Sequence, residues 1–304
     1  MDIEFVSDGL RHSGTLVLPA AEGPHPCVLL APGRGCYTRE GRLPLAEVFA
    51  EAGLAAIAMD MRGMGESEGE CGTAVFEDLV RDARAALAWA STHPAVDPKR
   101  LGVRGSSAGA WTAQALAEGP VGAAGERLAF VVTWIGPATS IEQQQRESGA
   151  QYAEDLGLEP ESAALVQRHI DIAIDGSLTD SEAFEAFQAV RAVAKSEGWF
   201  GSMFAADDFP DTAADVGSIF LRRFRFDPKA SLESLNDTPY LAVFGEDDSI
   251  VPVGSNTAKL RRALAVAGNE NASIVVLPGV GHEVTDAFVE ITIGFLRERG
   301  LMAE

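Results

Sequence analysis

The chain has 304 residues, 46% hydrophobic and 23% charged, proportions of a folded globular protein that exclude a disordered one. A formal net charge of −21 opposes approach to nucleic acid or to an anionic membrane, and no run of about eighteen apolar residues is present to cross a bilayer. Met1-Asp-Ile-Glu-Phe5 has neither the basic start nor the apolar stretch of a secretory signal, so the expected location is cytoplasmic.

Two candidate strands come first, at 3–6 and 14–18, separated by the turn-like Ser7-Asp8-Gly9, and they read as a hairpin. Cys27-Val-Leu-Leu-Ala31 is apolar throughout and suits a central parallel strand. It ends in the glycine-rich turn Pro32-Gly-Arg-Gly-Cys36, and a helical pattern follows around 43–52. A dinucleotide fingerprint starting at Gly33-x-Gly35 needs its third glycine where Thr38 stands. Asp60, which would serve as the ribose-binding acid at the end of the next strand (55–60), therefore lacks its companion motif. Arg62-Gly-Met-Gly-Glu-Ser67 forms the following loop. Residues 74–92 then space Val75, Leu79, Ala83, Leu87 and Trp89 as a helix closed by Pro94.

Residues 101–104 read as the end of a buried strand and 108–117 as a helix of small residues. Gly105-Ser-Ser-Ala-Gly109 between them has the G-x-S-x-G spacing of a nucleophile elbow. So sharp a turn strains its central residue, and bulk two positions to either side would clash. Ser107 would stand clear of the sheet, with the Ala108 N–H at the helix N-terminus aimed where a carbonyl oxygen becomes negative. Alone, the pentapeptide is equally an ordinary strand-to-helix loop.

A further buried strand, 130–135, ends at Gly136-Pro137, and the alternation then stops. Four stretches from there to 226 look helical: 141–156, 161–174, 181–197 and 212–223. Such a block between two strands reads as a cap. Trp134, Trp199 and Phe204 are candidate substrate contacts, against the plainer reading that such aromatics pack cap on core. A strand at 240–244, a helix at 257–267, a strand at 272–277 and a helix at 288–297 complete the chain. The fold expected is α/β: a doubly wound, mostly parallel eight-stranded sheet. Residues 1–137 and 227–304 form its core, and 138–226 a helical cap between strands six and seven.

In a doubly wound sheet, binding residues lie beyond the carboxyl ends of the strands. The loop after strand seven, Gly245-Glu-Asp-Asp-Ser249, offers Glu246, Asp247 and Asp248, and the loop after strand eight brings His282. With Ser107 these give the chain order Ser, Asp, His. The chemistry needs all three types, because a serine hydroxyl is a poor nucleophile until an imidazole takes its proton and a carboxylate fixes the imidazole tautomer.

These residues resemble the α/β-hydrolase family over nearly the whole chain outside the cap. The resemblance is carried by Pro32-Gly-Arg-Gly, Asp60-Met-Arg-Gly-Met-Gly-Glu-Ser67, the elbow, Gly245-Glu-Asp-Asp-Ser-Ile-Val-Pro252 and Gly281-His282. Within the family the chain is similar to the bacterial esterase and dienelactone-hydrolase-like branch with a helical cap. The resemblance implies Asp248 as the acid and Arg34 as the donor of a second oxyanion N–H beside Ala108. The family often has His-Gly where this chain has Pro32-Gly33.

The function expected is ester cleavage through an acyl-enzyme, with a small-molecule ester as substrate and no cofactor. Thioester cleavage, peptide or amide cleavage, and a non-catalytic ligand-binding protein on the same fold are the alternatives. An acyl-CoA would need a basic patch such as Arg222, Arg223 and Arg225 to offset the negative charge. No membrane or nucleic-acid partner is expected, and a homodimer is compatible with the sequence. The five histidines, His12, His25, His93, His169 and His282, show no H-E-x-x-H, so no metal is expected. Cys27, Cys36 and Cys71 have neither even number nor C-x-x-C spacing and are expected to be plain thiols.

Overall fold

Strands are laid down wherever short apolar runs are bounded by turn residues: β1 (Asp2–Ser7), β2 (Leu10–Val17), β3 (His25–Ala31), β4 (Ala55–Met59), β5 (Val96–Ser106), β6 (Phe130–Trp134), β7 (Tyr240–Gly245) and β8 (Ala272–Leu277). The computed structural model describes residues 1–202, 204 and 208–302. The strands form one sheet in the order β1-β2-β4-β3-β5-β6-β7-β8. β1 and β2 pair antiparallel with their neighbours, and every pairing from β4 through β8 is parallel.

The helices are α1 (Leu43–Glu51), α2 (Phe76–Ser91), α3 (Gly109–Leu116), α4 (Ile141–Asp155), α5 (Pro160–Ile174), α6 (Asp180–Ser196), α7 (Phe220–Arg223), α8 (Lys229–Glu233), α9 (Val253–Ala267) and α10 (Asp286–Glu298). Side-chain alternation along the buried strands divides the core between two faces. On one face Leu29, Val103 and Val131 meet Leu87 of α2, Leu116 of α3 and Leu260 of α9. On the other, Val28, Val132 and Trp134 meet Phe49 of α1 and Phe288 of α10. Both faces are covered, which is why the central strands read as apolar runs rather than alternating ones. The architecture is the α/β-hydrolase fold.

Between β6 and β7 the chain leaves the sheet to form α4, α5 and α6, a 3-10 turn over Ala213–Ser218, and α7. Ser140 caps α4 by accepting from the Gln143 N–H at 3.2 Å, and Thr179 and Glu182 form a capping box at the start of α6. These helices share an interior of their own, with Val166, Ile170, Phe187, Val190 and Trp199 buried together, which Phe76 and Trp111 join to the core. The single helix predicted over 212–223 is interrupted. Ile219 is extended, with φ −57° and ψ 136°, and this re-aims α7 so that Phe220 lies under the Arg34 guanidinium, 4.4 Å from it.

Candidate active site

Ser107 lies between β5 and α3 with φ +51°, a left-handed conformation that costs a residue with a side chain about 1–3 kcal/mol. A Cβ at Gly105 would lie 2.2 Å from the Gly109 carbonyl oxygen, and one at Gly109 would lie 2.4 Å from that of Pro32. Neither position can take a larger residue without moving backbone. The turn is held from β6, where the Trp134 carbonyl accepts from the Ser107 N–H at 3.0 Å.

The loops after β7 and β8 are pressed together in the same way. A Cβ at Gly245 would come within 2.3 Å of the Val280 carbonyl oxygen, and that oxygen accepts from the Asp247 N–H at 2.9 Å. Of the three acids in the β7 loop, Glu246 and Asp247 are exposed and Asp248 is buried. Asp248 Oδ2 lies 2.8 Å from His282 Nδ1, and His282 Nε2 lies 2.9 Å from Ser107 Oγ. Asp248 Oδ1 accepts from the N–H groups of Ile250 and Val251 at 2.9 and 2.8 Å. Three loops spread over 175 residues of sequence thus bring hydroxyl, imidazole and carboxylate into one line. With its proton on Nδ1, the imidazole can accept from the serine hydroxyl at Nε2.

Ser107 and His282 open onto a cavity of about 450 Å³ beneath the cap, shared with Arg34, Ala108 and Phe204. Ala108 is the residue before α3, and among the described residues its N–H makes no hydrogen bond. Arg34 crosses from the β3 loop to the cap, where it donates to Asp208 Oδ1 at 2.7 Å. A second cavity, of about 470 Å³, lies behind the loop after β3, between Gly33, Cys36, Cys71, Phe76 and Phe224.

Two of the predicted substrate contacts are elsewhere. Trp134 is fully buried on the opposite face of the sheet, its ring against Phe49 and Phe288 and its Nε1–H donating to Thr292 Oγ1 at 3.0 Å. Strand alternation turns its side chain away from the elbow, which it touches only through its carbonyl. Trp199 is buried inside the cap, donating to Glu197 Oε2 at 2.7 Å, and does not line the cavity. Phe204 does line it.

Cys36 and Cys71 are not thiols but a disulfide, with Cα atoms 5.9 Å apart, and only Cys27 is free. Their separation of 35 residues carries no C-x-x-C signature, so the sequence held no sign of the pairing. A disulfide is uncommon in the reducing cytoplasm. Asp60 organises its own loop, accepting from the N–H groups of Arg39 at 2.7 Å and Glu66 at 3.2 Å. Arg222 and Arg225 donate to the Ile172 and Ile174 carbonyls at the end of α5, and Arg223 donates to the carbonyls of Ser218 in the cap and Ala74 in the core. Among the described residues no group of three or more His, Cys, Asp and Glu is arranged to hold a metal ion. No helix of the described residues is long and apolar enough to cross a membrane.

Sequence reasoning passed over two polar residues at the base of the cap. Gln144 donates to the Ile250 carbonyl, and Asn256 accepts from the Ala138 N–H at 2.7 Å while donating to Gln144 Oε1 at 3.3 Å. Together they tie the first cap helix to the loop that carries Asp248. Both are buried amides, which are rare without a full set of partners, but burial is not visible in sequence.

The family described as X-Pro dipeptidyl-peptidase (S15 family) matches residues 8–171. An uncharacterized protein of Mycobacterium tuberculosis is 36% identical over 282 residues, covering 90% of this chain and 69% of its own length. An uncharacterized 31.7 kDa protein of Escherichia coli is 38% identical over 96 residues, 31% of this chain and 33% of its own length. The chain thus spans about a third of the length of the first curated relatives it matches. The esterase Pf2001 of Pyrococcus furiosus superposes with a TM-score of 0.63 at 18% identity, over 98% of this chain and 90% of its own, a likeness of fold alone.

Proposed function

This chain belongs to the X-Pro dipeptidyl-peptidase (S15) family of α/β-hydrolases, and from that footing we propose that it is a serine hydrolase cleaving carboxylic esters through an acyl-enzyme. The observation that carries the reading is the line from Asp248 through His282 to Ser107, with contacts of 2.8 and 2.9 Å. In the proposed reaction Ser107 Oγ attacks the carbonyl carbon as its proton passes to His282 Nε2. Asp248 steadies the imidazolium that results. The oxyanion is received by the N–H groups of Ala108 and Arg34. His282 then protonates the departing alcohol, and water, deprotonated by the same ring, releases the acid.

The family description favours a second reading, cleavage of the amide bond after an X-Pro dipeptide. The same groups would serve it, with an amine as leaving group. The two separate on a panel of nitrophenyl esters beside an X-Pro nitroanilide, each run with a serine-directed phosphonate and mass spectrometry of the Ser107 peptide. Ester turnover with an adduct on Ser107 supports the proposal. Anilide turnover exceeding that of the esters transfers it to the peptidase reading, and absence of both turnover and adduct ends both.

A further inference from the structure

Helix α5 turns Val166, His169, Ile170 and Ala173 toward the interior. Three of the four are aliphatic, so His169 is a polar residue on an apolar stripe. Its ring is set among aromatic ones, 4.5 Å from Phe204, 4.5 Å from Phe209 and 5.0 Å from Phe187. It is 3% exposed, and its Nδ1 is buried without a hydrogen-bond partner. Among the described residues nothing bonds Nε2 either. A phenylalanine would fill this nest without leaving a buried polar atom unmatched.

The ring is not sealed into the cap. It lines the same cavity as Ser107 and His282, as do Gln145, Ser148 and Tyr152 of α4. Burial, and secondarily the Arg34 charge, push its pKa down to about 3. At neutral pH it is therefore an uncharged imidazole, with one nitrogen to donate and one to accept. The His282 side chain, on the same cavity, is 19% exposed, whereas His169 is buried. In the proposed reaction the leaving group departs beside the more exposed His282, which places the acyl group on Ser107 toward the more buried His169 and the cap.

We propose that His169 is a substrate-contacting specificity residue, selecting esters whose acyl group carries a hydroxyl or amide over plain alkanoyl esters of the same length. The inference rests on the reading of Ser107 as nucleophile. A site built to hydrogen-bond a substrate group discriminates against the analogue lacking it, because its own buried polar atom then stays unpaired.

The test compares nitrophenyl butanoate with nitrophenyl 3-hydroxybutanoate and the N-acetylglycyl ester, on the wild type, His169→Phe and His169→Gln. We expect kcat/KM to favour at least one polar ester by about tenfold or more in the wild type. His169→Phe should lower that value by about 10- to 100-fold while changing the plain ester less than about threefold. His169→Gln, which keeps a donor and an acceptor, should recover part of the preference. Equal losses on both esters, no preference in the wild type, or a preference that survives His169→Phe overturns the inference. A binding arm needs no turnover: the thermal shift of Ser107→Ala with each intact ester, read against Ser107→Ala/His169→Phe. A larger shift with the polar ester that requires His169 supports the inference; equal shifts overturn it. Failure of the phosphonate to label wild-type Ser107 strikes the serine-hydrolase reading instead, and the two failures are thereby distinguished.

Discussion

Asp248 divides its two oxygens: Oδ2 faces His282 Nδ1 at 2.8 Å, while Oδ1 is held by the N–H groups of Ile250 and Val251. The carboxylate cannot turn without giving up both loop bonds, so the imidazole is presented with a fixed tautomer and plane. Asp248→Asn keeps an oxygen for the loop but puts an NH₂ against Nδ1, moving the imidazole proton to Nε2. We expect kcat for a nitrophenyl ester to fall by about 10⁴. A loss below about tenfold would remove Asp248 from the proposed role.

Ser107→Ala should lower ester turnover by on the order of 10⁶ and abolish the phosphonate adduct, with the melting temperature nearly unchanged. Retention of more than about a tenth of the activity would place the nucleophile elsewhere.

Arg104 is 5% exposed on β5, stacked 3.9 Å from the Trp134 ring. No ion pair to it occurs among the described residues. Burial, with the Arg42 charge added, pulls its pKa down to about 9. The cation–π contact returns about 2 kcal/mol, less than the usual several-kcal/mol penalty for an unpaired buried cation. Arg104→Met should therefore stabilise the protein by about 1–3 kcal/mol in urea denaturation at pH 7. Above about pH 9 the unfolded chain keeps a proton that the folded one has lost, so the wild type should gain stability as pH rises there and the variant's advantage should shrink. A lower urea midpoint for the variant at pH 7 would contradict this account.

The folded state holds His169 at about 3 against 6.5 when free. The unfolded chain therefore takes up a proton that the folded one refuses, and stability falls as pH drops from 6.5 toward 3. His169→Phe should reduce the stability difference between pH 7 and pH 4 by about 2–3 kcal/mol. An unchanged difference would show that the ring accepts the proton in place.

The Cys36–Cys71 bond closes a loop with a sequence separation of 35. Cys36→Ser, or treatment of the wild type with a reductant, should lower stability by about 3–4 kcal/mol if the native loops keep their places. Matched denaturation curves with and without reductant measure this directly, and coincident curves would show that the bond adds nothing.

The fold was legible because both faces of the central sheet are covered: apolar runs such as 27–31 and 130–134 have no other comfortable place. The candidate site's geometry was legible because sterics write glycine into it, at Gly105 and Gly109 around Ser107, and because the strand ends deliver Asp248 and His282 to one rim. Trp134 misled because a place at the carboxyl end of a strand says nothing about the face on which its side chain falls. The disulfide was hidden because the pairing of Cys36 with Cys71 depends on two loops meeting in space. The interruption at Ile219 escaped because a run of helix-compatible residues gives way there to the need to set Phe220 against Arg34, a partner nearly two hundred positions away. His169 looked like one of five scattered histidines until the cap's interior gave it neighbours.

Arg34 is gripped by Asp208 and Phe220 on the cap, while its backbone belongs to the turn proposed to receive the oxyanion. A lid that swung away to discharge product would pull on the very turn that must be at rest for the next attack. Any breathing of the upper helices would reach the chemistry below through that guanidinium as well as through Gln144 and Asn256, and substitutions far out on the cap should register as changes in kcat rather than in affinity alone.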